Sequence, residues 1–388
     1  IKCLKEVDNE DIAKNVFETN SVSNDVNLHF YIGILPVIDW AVTTFALKHM
    51  KNAVVFEIFH LTAADFERVL EIFQNRCLNK LQVTINGTDF CPERAFSALM
   101  KLDCSVNHNH TKLTALRLVC SSEIDTVSLN MMCEFFEKGH ANQLETFGLW
   151  KCNIDFTEMS KLFEPFRNGL CAKLTELDLS DVEIGDESEL LDTLCEGLCN
   201  VASLRIQSCA LTDKGIPNLC KALQEEICQL THLSLSHNEI KKEGLCILCE
   251  DALAKTHCKL TRLDLSRCSL SDDCMPSLIK ALLNKDCKLI SLVLDSNNIS
   301  NEGAGMLFKD ALSSKRCNLT ELSLQCCLLT DGCMPSLCMT LQGESWALKT
   351  LYLVHNAFTE KSKEWLFSVV RAVVKHGSFQ DRPLEVFI

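Results

Sequence analysis

LTHLSLSHNEI (230–240), LTRLDLSRCSL (260–270), LISLVLDSNNI (289–299) and LTELSLQCCLL (319–329) are copies of one pattern, L-x-x-L-x-L-x-x-N/C-x-L. Outward from them, LTELDLSDVEI (174–184), VASLRIQSCAL (201–211) and LKTLYLVHNAF (348–358) fit the same template, with nearly even spacing between starts. Weaker copies start at Leu144, Leu113 and Leu78, and a last one at Lys51 keeps only the apolar spacing, so eleven repeats are expected. Leu-x-Leu has period two, so both leucines leave a short strand on one side. They turn inward, and the residues between and beside them face outward. The Asn or Cys three positions after the second leucine falls where the chain turns. There an inward Asn can bond backbone groups the turn leaves unpaired, and a Cys can do so weakly while packing well. Asp213–Leu223, Lys241–Leu253 and Asp272–Leu283 have apolar residues three and four apart and are predicted helices. One strand–helix unit cannot bury its leucines alone; stacked units share a core.

The repeats alternate. The turn residue runs Cys209, Asn238, Cys268, Asn297, Cys327, Asn356, and each type returns at a constant two-repeat interval. Met275–Leu278 and Met334–Leu337 both read MPSL, whereas the Asn-type repeats carry Glu243-Gly244 and Glu302-Gly303. A second Cys stands two residues before the first leucine at Cys228, Cys258, Cys287 and Cys317, and Trp346 takes that place in the last full repeat. This combination resembles the ribonuclease-inhibitor class of leucine-rich repeat, found in ribonuclease inhibitor and in the C-terminal region of NOD-like receptors (NLRs). The match covers residues 51–388 and is strongest after 144. IKCLKEVDNEDIAKNVF (1–17) resembles the helical segment that leads into the repeats of those receptors. The resemblance implies a right-handed α/β horseshoe solenoid, with a parallel sheet on the concave face and helices on the convex face. Residues 1–50 would be a helical lead-in and N-terminal cap. Residues 51–388 would be the repeat domain and C-terminal cap.

The ends need closing. Val26, Leu28 and Tyr31 are expected to form a cap strand, followed by a helix from Pro36 to Met50. Lys361–Lys375 reads as the last helix. PLEVFI reads as a final edge strand in which Leu384 and Val386 correspond to Leu351 and Leu353 of the repeat before it.

Composition narrows the function. A net charge of −14 disfavours nucleic acid, because phosphate contacts need clustered Lys and Arg. No apolar run of about 18 residues lacks charge, so no membrane insertion is expected, and no secretory leader is visible. The first residue is Ile1, which suggests a fragment or processed product. Many of the 24 Cys recur at fixed repeat positions. Equivalent residues of neighbouring coils pair poorly as disulfides, so these cysteines read as buried free thiols in a reducing, cytoplasmic compartment. Cys246/Cys249 and Cys195/Cys199 fall inside helices and read as packing rather than zinc ligands. There is no G-x-x-x-x-G-K-[ST] and no predictable nucleophile–His pair, so neither cofactor nor enzyme activity is expected.

Binding is left to the concave face. Glu57, Glu176, Asp178, Asp181, Asp264, Asp295 and Glu321 nearly balance Lys80, Arg117, Lys151, Arg205, Arg262 and Arg267 there. An inhibitor of strongly basic ribonucleases should instead concentrate acid on that face. Asp178, Asp181, Arg205, His232, Arg262, Asp264 and Arg267 are expected to form one patch of mixed sign, flanked by Trp150, with Tyr352 as a second aromatic anchor. The expected function is binding of a protein partner, or of an upstream nucleotide-binding module, as the sensing or autoinhibitory repeat region of an innate-immune receptor. A free-standing inhibitor or adaptor of the ribonuclease-inhibitor type is the alternative.

Overall fold

The computed structural model describes residues 28–32, 54–59, 81–87, 96–97, 99–100, 112–120, 124–154, 156–186, 192, 196, 200–343, 345–376 and 384–388. They divide between two compact units, Ile1–Asp178 and Leu179–Ile388. The lead-in 1–17, the expected helix Pro36–Met50, Lys80 and the pair Cys195/Cys199 lie outside the described residues.

In the first unit, strands β1 (Leu28–Ile32), β2 (Val54–Phe59), β3 (Leu81–Gly87), β4 (Leu113–Cys120), β5 (Thr146–Trp150) and β6 (Glu176–Asp178) pair in chain order, all parallel. Helices α1 (Thr126–Glu137) and α2 (Phe156–Arg167) lie between the later strands. The core here is aromatic. The Phe136 ring meets Phe147 edge-on at 5.1 Å and Phe166 at 5.0 Å, and Phe135 meets Phe96 at 5.4 Å. Such contacts add to the burial of large apolar rings.

In the second unit, β7 (Ser203–Arg205), β8 (His232–Ser234), β9 (Arg262–Asp264), β10 (Ser291–Val293), β11 (Glu321–Ser323), β12 (Thr350–Tyr352) and β13 (Glu385–Phe387) also pair in order and in parallel. Each of β7 to β12 sits on a repeat motif. The paired strand leucines Leu233/Leu235, Leu263/Leu265, Leu292/Leu294 and Leu322/Leu324 are buried, as are Leu219 and Leu278 of the helices. This is the stacked core of a leucine-rich-repeat solenoid.

The helices follow repeat length. The Asn-type repeats, from Leu230 to Leu260 and from Leu289 to Leu319, are one residue longer than the Cys-type repeats, from Leu260 to Leu289 and from Leu319 to Leu348. The extra residue is absorbed as wide turns: α4 (Lys242–Leu248) and α6 (Asn301–Met306) run on into π-helix at Cys249–Leu253 and Leu307–Leu312. Cys-type helices start differently. Tight 3-10 turns at Asp272–Cys274 and Asp331–Cys333 lead into α5 (Met275–Leu282) and α7 (Met334–Gln342). Like α3 (Ile216–Gln224), these carry a proline in the first turn, where no backbone donor is needed.

The last helix, α8, spans Glu360–His376, close to expectation. The final strand forms, but its register differs from the sequence expectation: Val386, not Leu384, lies opposite Leu351. The slip is two positions, which keeps every side chain on its face, so alternation alone could not distinguish the registers.

Candidate protein-binding groove

The turn residues hold the strands in place. Asn238 Oδ1 accepts from the backbone N–H of Cys209 (3.0 Å) and Leu211 (3.1 Å), and its Nδ2 donates to the carbonyls of Ile206 (2.7 Å) and Leu235 (2.9 Å). Asn297 repeats this with Cys268 and Leu270 (both 3.0 Å) and with Leu265 and Leu294 (both 2.8 Å). The Cys thiols reach one carbonyl of the preceding repeat: Cys209 to Leu179 at 3.1 Å, Cys268 to Leu235 at 3.3 Å. The residue just before each turn position takes a left-handed backbone: Lys151, Asp181, Ser208, His237, Arg267, Ser296, Cys326 and His355, all with φ between 51° and 61°. Asp181 and Arg267 therefore sit at corners beyond the strands, both exposed.

A second ladder, which the sequence reading missed, runs along the helix starts. Asp186 accepts from Thr212 N (2.7 Å), Asp213 from Lys241 N (2.7 Å), Asp272 from Ser300 N (2.8 Å) and Asp331 from Thr359 N (2.9 Å). Asn301 takes the same role toward Thr330 N (2.9 Å). It explains the Glu-Gly pairs: a Cβ on Gly244 or Gly303 would collide with the carboxylate of Asp213 or Asp272.

With the turns fixed, the sheet face of the second unit carries side chains in rows. One row is Ser203, His232, Arg262, Ser291, Glu321 and Thr350; the next is Arg205, Ser234, Asp264, Val293, Ser323 and Tyr352. Across β7 to β11 these rows line a polar groove of about 310 Å³ that takes in Arg205, His232, Arg262, Asp264 and Glu321. His232 and Arg262 are therefore direct neighbours, and Arg205 lies one row over.

The groove's ionisable groups differ in availability. Asp264 is engaged: Ser234 Oγ donates to Oδ2 (2.8 Å), and Ser266 N and Oγ donate to Oδ1 (2.9 and 2.6 Å). His232 Nδ1 lies 2.8 Å from Thr231 Oγ1, which itself donates to the Ala202 carbonyl at 3.1 Å. The Thr231 hydroxyl thus bridges the Ala202 carbonyl and the His232 ring. Burial, and after it the guanidinium groups of Arg262 and Arg205, push the His232 pKa below its ordinary 6.5. Arg262 is exposed, and among the described residues no hydrogen bond or ion pair engages its guanidinium.

The remaining predicted residues fall elsewhere. Asp178 belongs to the first unit and is buried, not facing solvent. In that unit Arg117 pairs with Glu176 at 3.5 Å. Trp150, 45% exposed, closes β5 of the same unit. Tyr352 stacks on Phe387, centroids 4.9 Å apart and planes 14° from parallel. Phe387 is an exposed aromatic that the sequence reading passed over.

Among the residues whose side chains are described, the cysteines are free, and most are buried. Burial pushes the thiols of Cys171, Cys220, Cys268 and Cys333 up to about 12. That is the reverse of what a nucleophilic thiolate needs. Cys246 lies 3.1 Å from Ser277 Oγ, and Cys249 is buried. Among the described residues no cluster of His, Cys, Asp and Glu could hold a metal, and no helix is long and apolar enough to cross a membrane.

Comparison with known proteins agrees with this architecture. The Leucine Rich repeat family models match residues 170–188, 228–245 and 285–308, and residues 259–282. The chain is 31% identical over 243 residues to NACHT, LRR and PYD domains-containing protein 14 of Mus musculus, covering 62% of this chain and 24% of that protein. It is equally identical over 243 residues to ribonuclease inhibitor of Mus musculus, covering 62% of this chain and 51% of the inhibitor. It is 27% identical over 367 residues to NACHT, LRR and PYD domains-containing protein 3 of Macaca mulatta, covering 91% of this chain and 33% of that protein. The chain thus spans between a quarter and a half of the length of these relatives. Its repeats are similar to the leucine-rich repeats matched by those family models and to stretches of ribonuclease inhibitor and of the NACHT, LRR and PYD domains-containing proteins.

Proposed function

We propose that this chain is the ligand-sensing or autoinhibitory repeat region of an innate-immune NOD-like receptor, and that it works by binding protein on the sheet face without catalysing a reaction. The groove over β7 to β11 carries this reading. Its strand cores are consumed by stacking, while Arg262 and its neighbours are held outward on a rigid frame. The similarity to long NACHT-containing proteins over only a fraction of their length supports a module working beside others. The buried thiols favour a reducing, cytoplasmic location. Candidate contact residues are Arg205, His232, Arg262, Asp264 and Arg267 in the groove and its rim, with Asp181, Trp150 and Tyr352 as outlying positions. The partner is a protein, or a nucleotide-binding module of the same receptor.

The direct test is the transcript. Sequencing upstream of the codon for Ile1 should reveal a P-loop module in frame; a start codon preceded by a stop immediately upstream overturns the receptor reading. In the full-length receptor, Arg262→Glu with Arg267→Glu should keep the melting temperature and change basal activity. The ribonuclease-inhibitor alternative predicts inhibition of a basic ribonuclease, which two arginines in the groove disfavour.

A further inference from the structure

We propose that the groove is a two-charge docking site for a protein segment carrying an acidic and a basic side chain about 10 Å apart, the carboxylate seated at Arg262 and the cation at Glu321. This rests on the reading that the sheet face binds protein.

The register puts Arg262 and Glu321 in one row, two strands apart, with the small, buried Ser291 between them. Strand stacking at about 4.8 Å sets their backbones about 10 Å apart. Both line the groove, and no ion pair closes between them. The Glu321 carboxylate, like the Arg262 guanidinium, has no hydrogen bond or ion pair among the described residues. At that separation in water, two opposite unit charges attract by only about 0.4 kcal/mol, so each keeps its capacity for an outside partner. The neighbouring carboxylates do not compete. Asp264 is held by Ser234 and Ser266, and Asp295 by Ser323 Oγ (2.6 Å) and Gln325 N (2.8 Å). The groove therefore offers one positive and one negative free group at a spacing fixed by the sheet.

That polarity selects the partner class. A polyanion would set phosphates against Glu321 and meet a chain of net charge −14. A protein segment presents both signs at fixed spacing; residues seven apart on a helix share a face about 10.5 Å apart.

The test pans the full chain against a random dodecapeptide phage library and measures the enriched peptides against four proteins: the parent, Arg262→Glu, Glu321→Arg and the double variant. The enriched peptides should carry an acid and a base. Each single reversal should weaken them about tenfold. The double variant should prefer the same peptides with acid and base exchanged. Thermal melts check folding; should a reversal unfold the chain, Arg262→Gln and Glu321→Gln replace it with a smaller expected loss. No enrichment, peptides without an acid–base pair, or equal affinity for all variants overturns the proposal. Because the receptor reading is decided by the transcript, the two can fail separately.

Discussion

Asn-type and Cys-type repeats alternate in the second unit and close the same turn by different chemistry. Asn297 ties two backbone N–H groups of the preceding repeat and two carbonyls, one from each repeat, into one buried knot. Cys268 offers the preceding repeat one thiol contact, at 3.3 Å to Leu235 O. The helices differ in step: the Asn-type repeats widen by one residue into π-helix, and the Cys-type repeats enter through a 3-10 turn and a proline. The difference teaches that the turn side chains tie the two kinds of junction unequally. An Asn side chain knots its repeat to the Cys repeat before it, whereas the turn side chain of the Cys repeat after it adds a single thiol contact, Cys327 Sγ 3.5 Å from Leu294 O, to the backbone bonds and the Asp295 carboxylate that also join those two repeats.

The largest expected effect tests whether the two types share one core. Leu265 (Cys-type) and Leu294 (Asn-type) are both completely buried. Their replacement by Ala should cost roughly 2–5 kcal/mol each, with similar urea midpoints. A large difference between them would move the contrast from turn to core. Next comes the contrast itself. Asn297→Ala leaves the N–H groups of Cys268 and Leu270 and the carbonyl of Leu265 without that partner, and Leu294 O with only the Cys327 thiol, and should cost about 3 kcal/mol, whereas Cys268→Ala, losing a weak bond and a small volume, should cost about 1 kcal/mol. Equal losses in denaturant titrations would remove the asymmetry between the junctions.

These turn contacts were legible in the sequence because the Asn/Cys alternation recurs at a constant interval and only an inward side chain with both donor and acceptor suits a turn. The helix-start ladder was not. Asp213, Asp272 and Asp331 look like ordinary helix-capping residues, and their partners lie a whole repeat further along the chain. The groove was half legible. Strand alternation put Arg205, His232 and Arg262 on the sheet face. The pattern could not show that Asp178 is buried, that Asp264 is saturated by Ser234 and Ser266, or that Asp181 and Arg267 stand on left-handed corners. Those depend on how neighbouring repeats pack and on the backbone of the turn.

The third prediction concerns that ladder. Gly303→Ala gains about 1 kcal/mol of helix propensity. The new Cβ displaces the Asp272 carboxylate from Ser300, where a charge-assisted bond contributes about 1.5–3 kcal/mol. A net loss of about 1 kcal/mol follows from the difference. In an Asp272→Ala background the same substitution should become neutral or stabilising. A loss that persists there would place the cost in backbone crowding.

The smallest effect lies at His232, on an Asn-type strand beside Arg262 of the Cys-type strand. Burial first, then Arg262 and Arg205, hold its folded pKa below the ordinary 6.5. Asp264, the other charged group of that part of the groove, is screened by its serine donors, and Thr231 holds Nδ1. A depressed histidine favours its neutral form when folded, so the unfolded chain takes up the proton first. The histidine therefore costs no stability well above pH 6.5. Its cost grows as pH falls through the unfolded pKa and levels off below the folded one. His232→Gln should flatten the fall in melting temperature between pH 7.5 and 5. Arg262→Gln should move the His232 titration, followed by NMR, part of the way up toward 6.5, because burial still holds it down. A His232 that titrates at its ordinary value in the parent, or does not move in Arg262→Gln, would mean that the two strands do not bring ring and guanidinium together on the sheet face.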